Sequence, residues 1–247
     1  MKIGVKTYDD GNFLEHFRKK ANFFEIMAVE GRDYEFTKQF SQFPVVIHAQ
    51  HYIFDDNPAD KTKREKGTSS INFARKVADF AKAKRIILHP GIAADNNCSE
   101  ENAIAFVKSL KDNRIVIENQ PKVKYLNCLC TTPEDTKEFM EKANVEFCFD
   151  INHAIETAVC TGTSYKEFIK EFIKLNPAQY HLGGQRFDKG SDGRILSHLS
   201  FQDSEIDLKE ILKFLPEDAE ITLETESNIE KTENDIKMIR KVIEEII

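Results

Sequence analysis

Apolar residues along the chain gather in short β-favouring runs, each followed by a stretch with helical periodicity. Eight such runs stand out: Lys2–Lys6, Phe23–Val29, Val45–Ala49, Arg85–His89, Arg114–Glu118, Val145–Asp150, Ala178–Leu182 and Glu220–Glu224. Between them, Phe13–Lys20 and Tyr34–Phe40 predict short helices. Thr68–Ala83 sets Ile71, Ala74, Val77, Ala78 and Ala81 on one stripe. Ser99 opens another helix whose buried face is Ile104, Phe106, Val107 and Leu110. Thr132–Pro133 caps and starts Glu134–Ala143. Ser164 heads Tyr165–Leu175, which Pro177 stops, and Ile206–Phe214 and Ile229–Ile247 complete the series. No low-complexity segment, linker or composition break interrupts the alternation. The pattern predicts an α/β fold, a single-domain (β/α)8 TIM barrel over residues 1–247. A doubly wound sheet would want a glycine-rich phosphate turn after the first run, where the chain reads TYDDGN.

A barrel brings every strand C-terminus to one face. The sixth run, VEFCFDINHA, ends there in Asp150 with His153 three residues on. The third ends at His48, the fourth at His89, the fifth at Glu118, the seventh at His181 and the eighth at Glu224. His198 follows in the long seventh loop, His51 is a near neighbour, and His16 stands apart. One such residue means little, since a strand-end Asp is commonly a helix N-cap and a lone His is commonly just hydrogen-bonded. Hard oxygens and imidazoles at strand ends three through eight together predict a divalent metal site. Asn119 and Gln120 are placed to orient ligands or to cap. Arg186, five residues past His181, is a candidate clamp for a phosphate or carboxylate, or simply an exposed loop arginine.

Composition narrows the partners. The net charge is −7 with both signs mixed along the chain, which gives no footprint for non-specific nucleic-acid binding. No run of about 18 apolar residues predicts a membrane span. Met1 leads directly into KIGVK, so no secretory leader is expected. Five cysteines without a C-x-x-C pair predict reduced thiols and a cytoplasmic protein. The basic run KTKREK (Lys61–Lys66) reads as a solvated helix start, and Phe168 and Phe172 as core.

The series H-A-x-x-Y, L-H-P-G, I-E-N, C-x-D-x-x-H-A, H-L and L-E-T, each at a strand end and in this order, resembles the xylose isomerase-like TIM-barrel superfamily. That group includes sugar and sugar-phosphate isomerases and epimerases, and the endonuclease IV-type abasic-site nucleases. The resemblance covers essentially the whole chain. It implies a central metal held by Glu118, Asp150, His181 and Glu224. It further implies a second metal on His48 and His89 bridged by Glu118, and a third-metal position at His153 and His198. Departures are visible. The nucleases carry an Asp two residues before the last histidine, where this chain has Leu196; Asp192 and Asp203 are off that register. Gln202 and Ser204 replace glycines, Gly184 replaces an acid, and EIMAVEGRDY resembles the isomerase form of the second-strand loop.

The resemblance implies, first, an isomerase or epimerase dependent on one to three divalent ions, Zn²⁺ or Mn²⁺. It would act on a small sugar, sugar phosphate or hydroxy-carbonyl compound through a metal-stabilised enediolate. Glu118 and Glu224 would be base and acid, with Arg186, His153 and His198 against the substrate. The alternative is an endonuclease IV-type zinc-dependent hydrolase acting on abasic DNA. A third is a metal-retaining barrel without catalysis. No oligomeric state is implied.

Overall fold

The computed structural model describes residues 1–190 and 194–246. Seven strands, β1 (Lys2–Thr7), β2 (Phe23–Met27), β3 (Val45–His48), β4 (Arg85–Leu88), β5 (Ile115–Glu118), β6 (Glu146–Asp150) and β7 (Gln179–Leu182), run before a two-stranded insertion, β8 (Gly184–Lys189) and β9 (Ile195–Leu199). Then β10 (Glu220–Leu223) pairs with both β1 and β7 and closes an eight-stranded parallel barrel. The predicted TIM barrel is therefore the fold observed, with the eight apolar runs as its staves.

Side chains alternate along each strand, so residues two apart share a face. Phe23, Val46, Ile87, Val116 and Cys148 form a separate apolar cluster, one residue from each of five neighbouring strands. It plugs the barrel. Gly4 makes room for it: a Cβ there would meet the Phe23 ring at 2.3 Å. Two residues further along, the same inward positions carry Lys6, Glu25, His48, His89, Glu118, Asp150, His181 and Glu224. The other face of the strands, including Ile47, Ile86, Ile117, Phe147, Phe149 and Ile221, packs in the main core beneath the helices.

The helical layer comprises α1 (Gly11–Phe17), α2 (Arg64–Ala81), α3 (Glu100–Leu110), α4 (Pro133–Ala143), α5 (Ile151–Thr161), α6 (Tyr165–Ile173), α7 (Leu208–Phe214) and α8 (Ile229–Ile246). Ser99 and Thr132 cap α3 and α4 as predicted, each accepting from a backbone N–H one turn on. Tyr34–Phe40 is a 3-10 turn over Glu35–Phe40 rather than an α-helix. KTKREK is indeed a helix start. Asp60 caps its first turn, and Lys63 and Lys66 pair with exposed Asp55. Phe172 is fully buried, and Phe168 packs on the core.

Two further elements depart from the sequence reading. Helix α5 begins directly at the end of β6, where no helix is predicted, and ends at Gly162 in the left-handed conformation. The seventh loop is a β-hairpin, pairing Gly184 with Leu199 and Arg186 with Leu196. Among the described residues, no helix is long and apolar enough to cross a membrane. Ile247, the predicted end of the last helix, lies outside the described residues, as does Asp192.

Candidate metal centre

The inward donors converge at the C-terminal mouth of the barrel. Three sets have ligand atoms within 4.8 Å of one another: His48, His89 and Glu118; Glu118, Asp150, His181 and Glu224; and Asp150, His153 and His198. Glu118 belongs to the first two sets and divides its oxygens between them. Its Oε2 lies 3.0 Å from His48 Nε2 and 3.2 Å from His89 Nε2. Its Oε1 lies 3.3 Å from His181 Nδ1. Glu224 Oε2 reaches the same His181 nitrogen at 2.8 Å.

Three of the imidazoles that would present one nitrogen to a cation are held by the other. His48 Nδ1 donates to the Ala49 carbonyl at 2.8 Å and His153 Nδ1 to the Asn119 carbonyl at 2.8 Å. His181 Nε2 donates to Glu25 Oε2 at 2.9 Å. Glu25 is fully buried and also accepts from Gln179 and Thr222. Asn119 exchanges two hydrogen bonds with the Asp150 backbone, and Gln120 accepts from the Gly91 amide beside His89. Asn119 thus steadies the backbone that carries Asp150, and Gln120 the turn after His89.

Asp150 does two jobs. Its Oδ1 accepts the His153 amide at 2.8 Å and caps α5. Its Oδ2 is buried without a hydrogen-bond partner among the described residues and faces the donor sets. Glu224 Oε2 has only its 2.8 Å ion pair with His181 Nδ1, and His89 Nδ1 and His198 Nδ1 are buried without hydrogen bonds among the described residues. Orphaned buried polar atoms are costly, and Asp150 Oδ2 belongs to a carboxylate shared by two of the converging donor sets. The donor set therefore fits one or more divalent cations.

Charge points the same way. Among the described residues, four carboxylates, Glu25, Glu118, Asp150 and Glu224, share the barrel mouth with a single ammonium, Lys6. Lys6 Nζ lies 2.7 Å from Glu224 Oε1 and 3.2 Å from Glu25 Oε1. Burial raises the Asp150 carboxyl to about 8, with Glu224 and Glu118 adding to the effect against the pull of His198. Burial alone would lower His181, but Cys148, Glu25, Glu118 and Glu224 around it hold it well above the usual value. Burial would raise Glu118, yet His181 and His89 hold it well below the carboxylate range. In Glu224 the same penalty is overcome by Lys6 and His181.

A cavity of about 610 Å³ opens above these donors, lined by His48, His89, His153, His198 and Glu224 at its base. Tyr8, Ile53 and Leu196 stand exposed along its wall. Arg186 is not brought to this cavity. It sits on the exposed strand β8, 44% exposed, and pairs with Asp188, because hairpin pairing turns it outward. Arg194 lines the cavity instead. The third set is completed by Asp150; Asp203, which pairs with Lys231, does not take part. Gly184 has a packing reason, since a Cβ there would meet the Ser200 and Leu199 carbonyls at 2.5 and 2.8 Å.

Sequence reasoning passes over Lys6 and Glu25 and notes His51 only as a near neighbour. A charged residue inside the apolar run FFEIM is the signal for Glu25. Lys6 follows Gly4 at strand spacing. His51 stacks on His89 with ring centroids 4.7 Å apart, and burial, with His89 and His48 beside it, drives its imidazole down to about 2.

The chain belongs to the xylose isomerase-like TIM barrel family, whose model matches residues 26–242. Among solved structures it is similar to a D-tagatose 3-epimerase-like protein (20% identity, TM-score 0.78, covering 100% of this chain and 98% of that one). It is also similar to endonuclease IV from Thermus thermophilus (16%, TM-score 0.73, 99% and 100%). A third is the family 2 AP endonuclease from Brucella melitensis (11%, TM-score 0.71, 97% and 98%). At these identities the likeness is one of fold. Among curated proteins, none matches this sequence.

Proposed function

We propose that the chain is a phosphoester hydrolase working with at least two divalent cations bridged by Glu118. The observation that carries this reading is the division of the Glu118 carboxylate, Oε2 toward His48 and His89 and Oε1 toward His181. Enolising a sugar can be done with a single cation, so that chemistry does not by itself ask for the second donor pair of His48 and His89. Two adjacent cations clamp a phosphoryl group and acidify water, which is the chemistry they would supply here when bound. The chain's own residues hold that arrangement. Lys6 occupies Glu224 Oε1 and leaves Oε2 facing His181, while Glu25 fixes the His181 ring. Phosphodiesters come first as substrates, abasic-site DNA among them, because two of the similar folds are an endonuclease IV and an AP endonuclease.

An isomerase or epimerase of small sugars is the second reading, favoured by a cavity of about 610 Å³, the size of a small-molecule site. It asks Glu118 and Glu224 to exchange protons with the substrate. Glu118 is only 1% exposed with both oxygens against imidazoles, and Glu224 has one oxygen on Lys6. These engagements favour ligand roles over acid–base roles. A non-catalytic barrel ranks last, since the cavity stands open above the donors.

Incubating the zinc-loaded protein with an abasic-site duplex, with bis(p-nitrophenyl) phosphate and with a panel of ketoses and ketose phosphates separates the readings. Cleavage of a phosphoester that a chelator abolishes is the expected result. Ketose interconversion without phosphoester cleavage would overturn it.

A further inference from the structure

We infer that Lys6 is a substrate-binding residue whose ammonium donates to a phosphoryl oxygen seated at the base of the cavity. The inference rests on the phosphoester reading above and deepens it, by naming the cation of this chain that meets the charge of the substrate. It gives Lys6 a role beyond its hold on Glu224.

The strand register leaves Lys6 little freedom. It lies opposite Glu25 in the β1–β2 pairing, and Val5 opposite Leu223 brings it next to Glu224 on the other side. Among the described residues, its Nζ donates to Glu224 Oε1 at 2.7 Å and pairs with Glu25 Oε1 at 3.2 Å. An ammonium carries three hydrogens, so one remains after both carboxylates are served. The side chain is 9% exposed and lines the cavity alongside His48, His89 and Glu224. A donor this deeply buried, held on two sides by carboxylates and bordering the cavity, is presented to whatever occupies it.

Charge and stiffness assign the occupant. When ionised, the carboxylates of Glu25, Glu118, Asp150 and Glu224 bring four negative charges to the barrel mouth. Two divalent cations bridged by Glu118 would match all four. The Lys6 ammonium is then a surplus positive charge beside like charges, and a buried charge without a compensating partner is costly. A phosphodiester monoanion restores the balance, whereas a neutral sugar does not. A lysine serving only to neutralise carboxylates would be redundant once the cations bind. The grip also costs little order, because a lysine already fixed by two carboxylates has few rotamers left to lose.

The probe is inorganic phosphate, titrated calorimetrically into zinc-loaded protein freed of excess zinc. Loss of a charge-assisted hydrogen bond predicts that Lys6→Met binds phosphate about 10- to 100-fold more weakly than the wild type. Its zinc content should be undiminished, since removing a positive charge favours cations. Lys6→Gln, which keeps a hydrogen-bond donor toward Glu224 and so guards against misfolding, should behave in the same way. A residue that merely holds Glu224 in place would lose zinc and phosphate together in Lys6→Met and neither in Lys6→Gln. That pattern overturns the role, as does unchanged phosphate affinity in either zinc-loaded variant. Crystals of the zinc-loaded wild type grown with phosphate check it without a substitution: a phosphate oxygen about 2.7–3.2 Å from Lys6 Nζ is expected, and phosphate bound clear of Lys6 overturns the assignment. If phosphate does not bind the zinc-loaded wild type at all, the phosphoester reading falls and the role of Lys6 with it.

Discussion

Glu118→Gln is expected to leave the barrel folded while releasing both bridged cations and lowering turnover by roughly two to three orders of magnitude. The amide keeps the shape of the side chain and can still accept from one neighbour. It cannot present two anionic oxygens, one to His48 and His89 and the other to His181. Removing one charged member of a buried, mutually compensated set costs about 3–5 kcal/mol, and each 1.36 kcal/mol is about tenfold in rate or affinity. Metal equivalents retained after gel filtration, read beside phosphoester turnover and far-ultraviolet circular dichroism, check this. Full metal retention with full activity would remove Glu118 from the centre.

The second large effect concerns the metal-free protein, whose stability is expected to fall as pH rises from about 6 to 9. Asp150 is one source. Its folded value of about 8 lies above the ordinary 3.8 because burial disfavours the anion. The folded state then keeps a proton that the unfolded chain releases. This stabilisation is complete below about 3.8 and is lost as pH climbs through 8. His181, also raised, acts in the same direction: its contribution is whole below about 6.5 and lost above its folded value. Glu25, Glu118 and Glu224 are lowered, so their contributions exist above about 4.5 and disappear only in acid. Urea midpoints at pH 6, 7.5 and 9 in chelator should therefore decline, by up to several kcal/mol of stability. Added zinc should flatten the decline, because cations replace the protons. Asp150→Asn should reduce the slope in chelator, leaving the part that His181 contributes. A flat chelated profile would contradict the assignment.

Much of this is legible in the residue pattern, for a specific reason. A barrel strand buries one face against helices and the other in its interior, so its apolar run survives to the end. A polar residue two places beyond a plug residue then stands at the mouth, as His48 does after Val46 and Glu118 after Val116. Donor identity and strand end can be read together, and every predicted donor set is assembled in the fold. Helix α5 has helical periodicity, Ile151, Ala154, Ile155 and Ala158 against Asn152, His153, Glu156 and Thr157, but it is hidden because both faces are buried and its N-cap, Asp150, doubles as the strand-end donor. The β8–β9 hairpin is hidden because GQRFDK lacks β-branched alternation; pairing across the insertion forms it. The same hairpin explains why spacing points to Arg186 rather than Arg194: which arginine faces the cavity depends on a register that distance from His181 does not reveal. Lys6 and Glu25 need the closed barrel, since β1, β2 and β10 meet only when the first strand pairs with the last.

The bridging role of Glu118 is tested most directly by anomalous diffraction at the zinc edge from crystals of protein purified without added metal. We expect one peak among Glu118, Asp150, His181 and Glu224 and a second beside it, against His48, His89 and the other Glu118 oxygen. A single peak with His48 and His89 unengaged, or none at all, would contradict the account.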